Sequence, residues 1–268
     1  MRVHVIQTGK LATKPPLFRG RTRFSLATAI LHRTWFEFPV HAYVLEHDDG
    51  HIVVDTGASH LMPTAPGVFR KIIEPNDEIG PQMRAKGLRV EDVRLVVPTH
   101  LDVDHAGGIG HFPNAEIVVH RPEFEYASTF MGRMRYGPKT WPHWFSPSLY
   151  DLDPEPYGPF PESRSITDVG DVRLVPIPGH SIAQVAVVVK TDGPLLFFAG
   201  DHMVRQDWFA DDLARGRFSQ ALHFNNPKAA AETSKRIRDF VRQFPTVLVP
   251  AHDSEVAARL QSREAVTV

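Results

Sequence analysis

Four side chains able to ligate a metal, His100, Asp102, Asp104 and His105, fall within six residues in Val96-Val97-Pro98-Thr99-His100-Leu101-Asp102-Val103-Asp104-His105-Ala106-Gly107-Gly108. The apolar run Val93 to Val97 leads directly into them, and its length and β-branched content predict a buried strand that stops at Pro98. The chain must therefore fold so that the end of a core strand opens into a polar turn. Positions 100, 102 and 104 do not all point the same way as 105, so one such turn can serve two adjacent ions but cannot complete either site. Three other apolar runs end in the same manner. Val172 to Ile177 leads to Pro178-Gly179-His180-Ser181, Leu195 to Ala199 leads to Gly200-Asp201-His202, and Val247 to Val249 leads to Pro250-Ala251-His252-Asp253. Four strand ends meeting at one edge would bring His180, Asp201 and His252 to the first cluster.

The remaining pattern is compatible with that convergence. Arg2 to Gln7 reads as a strand, and Val40 to Glu46, His47-Asp48-Asp49-Gly50 and Ile52 to Val54 read as a hairpin closed by Asp-Gly. Ile79 to Leu88 has helical character, Ala115 to Val119 and Val185 to Val189 are further strands, and a long helix is expected from Pro227 to Gln243. Many short strands and few helices, in mixed order, predict an α/β protein with two sheets rather than a doubly wound one. Residues 130–165, where Tyr136, Trp141, Trp144, Phe145, Tyr150, Tyr157 and Phe160 alternate with prolines, read as a long ordered loop. Trp141, Trp144, Phe145, Trp208 and Phe209 are candidates for the wall of a substrate pocket.

Composition narrows the chemistry. The chain has 15 His in 268 residues and Cys 0, so imidazole and carboxylate are the available ligands and thiolate is not. Lys+Arg 30 against Asp+Glu 31 gives a net charge of -1, which provides no positive field for nucleic acid. No apolar run reaches the length of a membrane helix and the first residues lack a signal-peptide pattern, so a soluble, cytoplasmic protein acting on a small molecule is expected. A homodimer is compatible with the pattern, although no residue demonstrates it. Asp151-Leu152-Asp153-Pro154-Glu155 has calcium-loop spacing, but Pro156 occupies the position where that loop needs glycine. Gly-x-Ser-x-Gly elbows and phosphate loops are absent from the sequence.

In their order, the four ligand-bearing segments resemble the metallo-β-lactamase superfamily, over residues 40 to 255. Phe38-Pro39-Val40-His41-Ala42-Tyr43, Val54-Asp55-Thr56-Gly57, Ala106-Gly107-Gly108 and Pro178-Gly179-His180-Ser181 are similar to its N-acyl homoserine lactonase branch. The resemblance implies an αββα sandwich, two mixed sheets flanked by helices, formed by residues 1–268 as one metallo-hydrolase domain. The aromatic stretch at 130–165 reads either as a lid over the substrate or as one side of the fold. The resemblance also implies a dinuclear site at one edge. One ion would take His100, Asp102 and His180, the other Asp104, His105 and His252, with Asp201 bridging them and Asp55 supporting the metal loops from behind. A water held between the ions would attack an ester, lactone or phosphoryl centre, and Asp104 would hold it and pass its proton to the leaving group.

Three departures from the family pattern bear on this expectation. Asp102 stands where the first motif usually has its second His. Two divalent ions, three carboxylates and a hydroxide sum to zero formal charge, one unit below the usual set, and the added oxygen donor favours manganese or iron over zinc. Because Asp is shorter than His, the alternative is an Asp102 outside the ligand set and a first ion loosely held or absent. Gln184 stands where the lactonase branch often has a second His, and Val204 where it has a tyrosine. A small, partly apolar ester or lactone is the leading expected substrate. Phosphoester or phosphotriester hydrolysis is the alternative on the same site, with a diiron redox protein or a mononuclear or vestigial binding protein ranked below.

Overall fold

A strand covered on both faces needs apolar residues at successive positions, and Tyr43-Val44-Leu45, Ile52-Val53-Val54 and Leu95-Val96-Val97 supply them. In the computed structural model, which describes residues 1–15, 31–65, 67–137, 141–206 and 223–266, these runs lie in three adjacent strands. The strands of this sheet are β1 (Arg2–Thr13), β2 (Phe36–Glu46), β3 (His51–Val54), β4 (Phe69–Ile72), β5 (Val93–Val97), β6 (Glu116–His120) and β7 (Ser148–Tyr150). They are ordered β4-β1-β2-β3-β5-β6-β7, antiparallel from β4 to β3 and parallel from β3 to β7. A second sheet contains β8 (Arg164–Ser165), β9 (Val172–Pro176), β10 (Val185–Val189), β11 (Leu195–Phe198) and β12 (Thr246–Val249). Its order is β12-β11-β10-β9-β8, antiparallel except for the parallel β11/β12 pair.

Alternation along the strands divides the core. Tyr43, Leu45, Ile52, Val54, Leu95 and Val97 pack against Leu174, Val187, Leu196, Phe198 and Val247 of the other sheet. Their neighbours Val44, Val53 and Val96 face the opposite way, onto α1 (Ile79–Ala85), α2 (Arg121–Ser128) and α3 (Phe130–Tyr136) through Ile79, Met83, Ala127 and Tyr136. Beyond the second sheet, Val175, Val188, Phe197 and Leu248 are covered by Ile237, Phe240 and Val241 of α4 (Pro227–Gln243). The layers are therefore helix, sheet, sheet, helix, as expected. Each large side chain fully buried in these layers contributes roughly 1.5–3 kcal/mol. A last helix, α5 (Val256–Ser262), adds Val256 to the core between the sheets.

Helix α4 begins where the site begins. Asn226 accepts a hydrogen bond from the Ala229 amide at 3.1 Å, and Pro227 occupies the first turn. The turn after β9 presses on it so closely that a Cβ at Gly179, whose φ is +145°, would lie 2.6 Å from Ala230 Cα. Only glycine fits there.

Some sequence expectations are corrected. β1 continues past Gln7 to Thr13 through an irregularity between Gln7 and Lys10, and β4, absent from the expected strands, pairs with that extension. The first helix stops at Ala85 rather than Leu88, because Gly87 takes a positive φ of 75° and turns the chain. Of the two readings of the aromatic stretch, lid or side of the fold, the described residues fit the second: they supply α3, the edge strand β7 of one sheet and the edge strand β8 of the other. Trp141, Trp144 and Phe145 pack against the helix-side core of the first sheet, with Phe145 5.1 Å from Trp141 and 6.1 Å from Phe124 between ring centroids. Trp208 and Phe209 lie outside the described residues. Among the described residues, no helix is long and apolar enough to cross a membrane.

Candidate metal centre

Because β3 and β5 are parallel, as are β11 and β12, and β9 runs with β11, the ends that follow these strands share one edge of the sandwich. Asp55 follows β3, His100 to His105 follow β5, His180 follows β9, Asp201 sits on a 3-10 turn after β11, and His252 follows β12. The motif loop turns back through glycines that allow no side chain: a Cβ at Gly107 would lie 2.4 Å from the Val103 carbonyl oxygen. Asp55 holds a left-handed φ of 56°, a strained conformation for a non-glycine residue. That conformation is fixed by what its carboxylate does. Oδ1 accepts from the Thr99 amide at 2.6 Å, and Oδ2 accepts from Thr99 Oγ1 at 3.1 Å and His105 Nδ1 at 2.8 Å.

The side chains form two groups that share Asp201: Asp104, His105, Asp201 and His252, and His100, His180 and Asp201. Within each group the potential ligand atoms all lie within 4.8 Å of one another. Asp201 faces both groups with different oxygens. Its Oδ1 is 3.1 Å from His105 Nε2 and 3.0 Å from His252 Nε2, while its Oδ2 is 3.5 Å from His180 Nε2. Asp104 Oδ2 is 3.5 Å from His252 Nε2.

All four histidines are anchored by Nδ1 and present Nε2 to the centre. Their anchors are Asp55 for His105, Thr99 Oγ1 for His100 (3.1 Å), the His223 carbonyl for His180 (2.7 Å) and the Pro39 carbonyl for His252 (2.8 Å). Since Thr99 Oγ1 gives its hydrogen to Asp55, it accepts from His100. With Nδ1–H donated outward, the Nε2 lone pairs point at carboxylates and at one another, an arrangement that calls for a cation. His100 Nε2 is buried and has no hydrogen-bond partner. The donor set, nitrogen and carboxylate oxygen at two adjoining positions, fits a pair of divalent ions. Without a cation, protons take that role. Burial pushes His105 down, but Asp55, Asp201 and Asp104 carry it well above its ordinary value. His252 is likewise raised against burial by Asp201. Burial and the neighbouring His105 lower His100, and His252 and His105 hold Asp201 well below the carboxylate range despite its burial.

Asp102 belongs to neither group. Arg135 of α3 donates to it through two nitrogens, Nε to Oδ1 at 2.8 Å and Nη2 to Oδ2 at 2.7 Å, and Nη1 donates to the His180 carbonyl at 2.9 Å. Asp102 Oδ2 also lies 2.8 Å from His180 Nε2 and 3.2 Å from His100 Nε2.

A cleft of about 420 Å³ opens over the centre. Asp102, Asp104, Asp201, His223 and His252 line its polar side, while Leu11, Phe38, Met62, Phe69, Val103 and Val204 are among its apolar walls. Phe38 sets its ring edge-on against His252 at 5.0 Å. Trp141, Trp144 and Phe145 are not among the cleft residues, and the walls come instead from the β1, β2 and β4 edge and the loop after β3.

His223, which no sequence motif marks, lies next to the site. It holds His180 through its carbonyl, and its Nε2 donates to the Asp201 carbonyl at 2.7 Å. Its backbone role has no spacing signature, whereas its neighbourhood to α4 could have been noticed. His202, next to Asp201, is buried against α4 with Nε2 3.0 Å from Ser234 Oγ. Gln184 is buried and donates to the Ala199 carbonyl at 3.1 Å.

Known proteins share the fold that carries this site. The family model described as "Metallo-beta-lactamase superfamily" matches residues 35–252. A probable metallo-hydrolase of Mycobacterium tuberculosis, Rv2300c, is 34% identical over 60% of this chain and 56% of its own length, so the match spans little more than half of that relative. An N-acyl homoserine lactonase of Bacillus cereus is 26% identical over 87% of this chain and 88% of its own. A solved N-acyl homoserine lactone hydrolase with the product N-hexanoyl-L-homoserine at its catalytic metal center superposes with a TM-score of 0.74, at 21% identity, over 96% of this chain and 94% of the other. On the family match, the shared fold and the strand-end ligand groups together, this chain belongs to the metallo-β-lactamase superfamily, with N-acyl homoserine lactonases among its relatives.

Proposed function

We propose that the protein is a metal-dependent hydrolase that opens a small, partly apolar ester or lactone at its carbonyl. The observation that carries this reading is the cleft, which places Asp104, Asp201 and His252 beneath walls of Leu11, Phe38, Met62 and Phe69. Asp104, His105, His252, His100, His180 and Asp201 would hold two divalent ions, whose Lewis acidity would polarise the carbonyl oxygen and lower the pKa of a water toward about 7. Asp104, which reaches both the cleft and the ligand group, accepts the proton of the attacking water as its oxygen bonds to the carbonyl carbon. It returns that proton to the alkoxide oxygen as the C–O bond breaks, so acid and alcohol leave with charge balanced. Asp55 and Thr99 keep His105 and His100 in register for this exchange.

The walls choose the substrate. Each methylene of an acyl chain buried there adds about 0.8 kcal/mol of binding, so a neutral substrate with an alkyl arm is favoured over a polyanion. The lactonase relatives support a lactone ring as the reacting group, while Val204 lines the cleft without a hydroxyl of its own.

The test is hydrolysis of N-acyl homoserine lactones of increasing chain length, aryl esters and paraoxon, by metal-loaded and chelator-treated protein. Turnover of lactones or esters that improves with acyl length and disappears on chelation is expected. Turnover of paraoxon alone would move the reading to phosphotriesters, and activity indifferent to chelation would overturn the metal-dependent mechanism.

A further inference from the structure

We infer that Arg135 holds Asp102 out of the ligand set, leaving the two metal positions unequal: a tight one at Asp104, His105, Asp201 and His252, and a weak, exchangeable one at His100, His180 and Asp201. The inference rests on the metal-dependent reading above and concerns how that site is filled. Its starting point is geometry. Both oxygens of Asp102 are engaged by the fork of one guanidinium, at 2.8 and 2.7 Å, which is the strongest form of carboxylate pairing. The side chains are only 17% and 22% exposed, so an ion that recruited Asp102 would have to break a largely desolvated pair and strand the guanidinium.

Arg135 is itself held in place. Its neighbour Tyr136 donates to Glu123 Oε1 at 2.6 Å, and Glu123 is buried. The other oxygen of Glu123 accepts from Ser181 Oγ at 2.9 Å and the Ala183 amide at 3.0 Å, in the loop that carries His180. Arg135 Nη1 binds the His180 carbonyl of the same loop. Helix α3, the motif loop and the His180 loop are thus tied into one unit that delivers a fixed positive charge beside the weaker group.

The donor count then differs between the two positions. The tight position has its own carboxylate, Asp104, in addition to the shared Asp201. The other has two imidazoles, the shared Asp201 and Asp102, whose Oδ2 lies 2.8 Å from His180 Nε2 and 3.2 Å from His100 Nε2 but is already engaged by Arg135 Nη2 at 2.7 Å. The pairing also changes the charge sum. With Asp102 neutralised by Arg135, the ions see two carboxylates rather than three, and the preference for manganese or iron expected from an Asp102 ligand gives way to the preference of a nitrogen-rich set for zinc.

The experiment is titration of metal-free protein with zinc alone, by calorimetry and chelator competition, with metal counted after gel filtration. Wild type is expected to retain one equivalent and to bind a second at least about tenfold more weakly. Arg135→Met frees Asp102 and should tighten the second equivalent by about tenfold or more, so that both are retained. The double variant Arg135→Met/Asp102→Asn should lose that gain, since the gain comes from the released carboxylate. Should Arg135→Met not fold, Arg135→Lys keeps the charge, loses the fork and should show the same tightening to a smaller degree. Two equivalents of equal affinity in wild type, or a gain that survives in the double variant, would overturn the inference and leave the metal-dependent reading standing. Failure of wild type and every variant to bind zinc would instead bring down that reading and the inference with it.

Discussion

Two clusters of histidine and carboxylate stand some distance apart along this chain, and they are wired in opposite senses. At Glu78, donors meet an acceptor: Ser59 Oγ at 2.7 Å, the His60 amide at 2.8 Å and His60 Nδ1 at 2.6 Å converge on Oε1, and His111 Nε2 reaches Oε2 at 2.7 Å. Burial works against the charge of Glu78, but these bonds hold its carboxyl down at about 2. At the strand ends, the imidazoles spend their N–H groups on outward anchors, and acceptors meet acceptors inside. The first cluster is complete as it stands and ties the loop after β3 to the start of α1. The second is complete only with positive charge added. Residue types alone do not distinguish a brace from a metal centre; the direction of the N–H bonds does.

Substitutions can break or sharpen this contrast. The largest effect is expected at Asp104: Asp104→Asn should reduce kcat by about 10²–10⁴-fold while circular dichroism shows the native fold, and retained turnover would remove Asp104 from its role. Asp55→Asn withdraws the acceptor behind His105 and should weaken metal binding by about 10–100-fold in a chelator competition. Glu78→Gln should leave metal affinity unchanged and cost about 1–3 kcal/mol at neutral pH, read from urea denaturation. The pH dependence has opposite signs in the two places. Glu78 has a depressed pKa, so its contribution is present above about 4.5 and is lost as pH falls toward about 2, and Glu78→Gln should flatten that acid limb. His105 and His252 have raised pKa values in metal-free protein, so their contribution is present below about 6.5 and fades as pH rises through the raised values. Metal-free protein should therefore lose stability toward alkaline pH while zinc affinity rises, because binding must displace those protons. A zinc affinity that does not change with pH would show that no such protons are held.

The layers and the clustering of the candidate ligands were legible because each follows from local pattern. Runs such as Ile52-Val53-Val54 declare a strand covered on both faces, and a polar turn after such a run declares an edge where side chains can meet. What was not legible depends on partners far apart in the chain. Arg135 lies 33 residues from Asp102, and nothing in Arg133-Met134-Arg135 distinguishes the arginine that turns inward. Pro39 and His223 act through backbone carbonyls, which no side-chain motif records. The aromatic stretch stayed open between two readings for a related reason: composition reports that Trp141 and Phe145 need cover, but not which of two apolar surfaces gives it.

The cleft has its reactive floor and most of its apolar wall encoded in separate stretches of chain. Leu11, Phe38, Met62 and Phe69 precede the first ligand of the motif loop, and none of the four belongs to a ligand group. Selection acting on the shape of the wall can therefore work on the first 69 residues while the ligand groups are inherited unchanged. A library confined to those four positions is a route to new substrates that starts from an intact reaction centre.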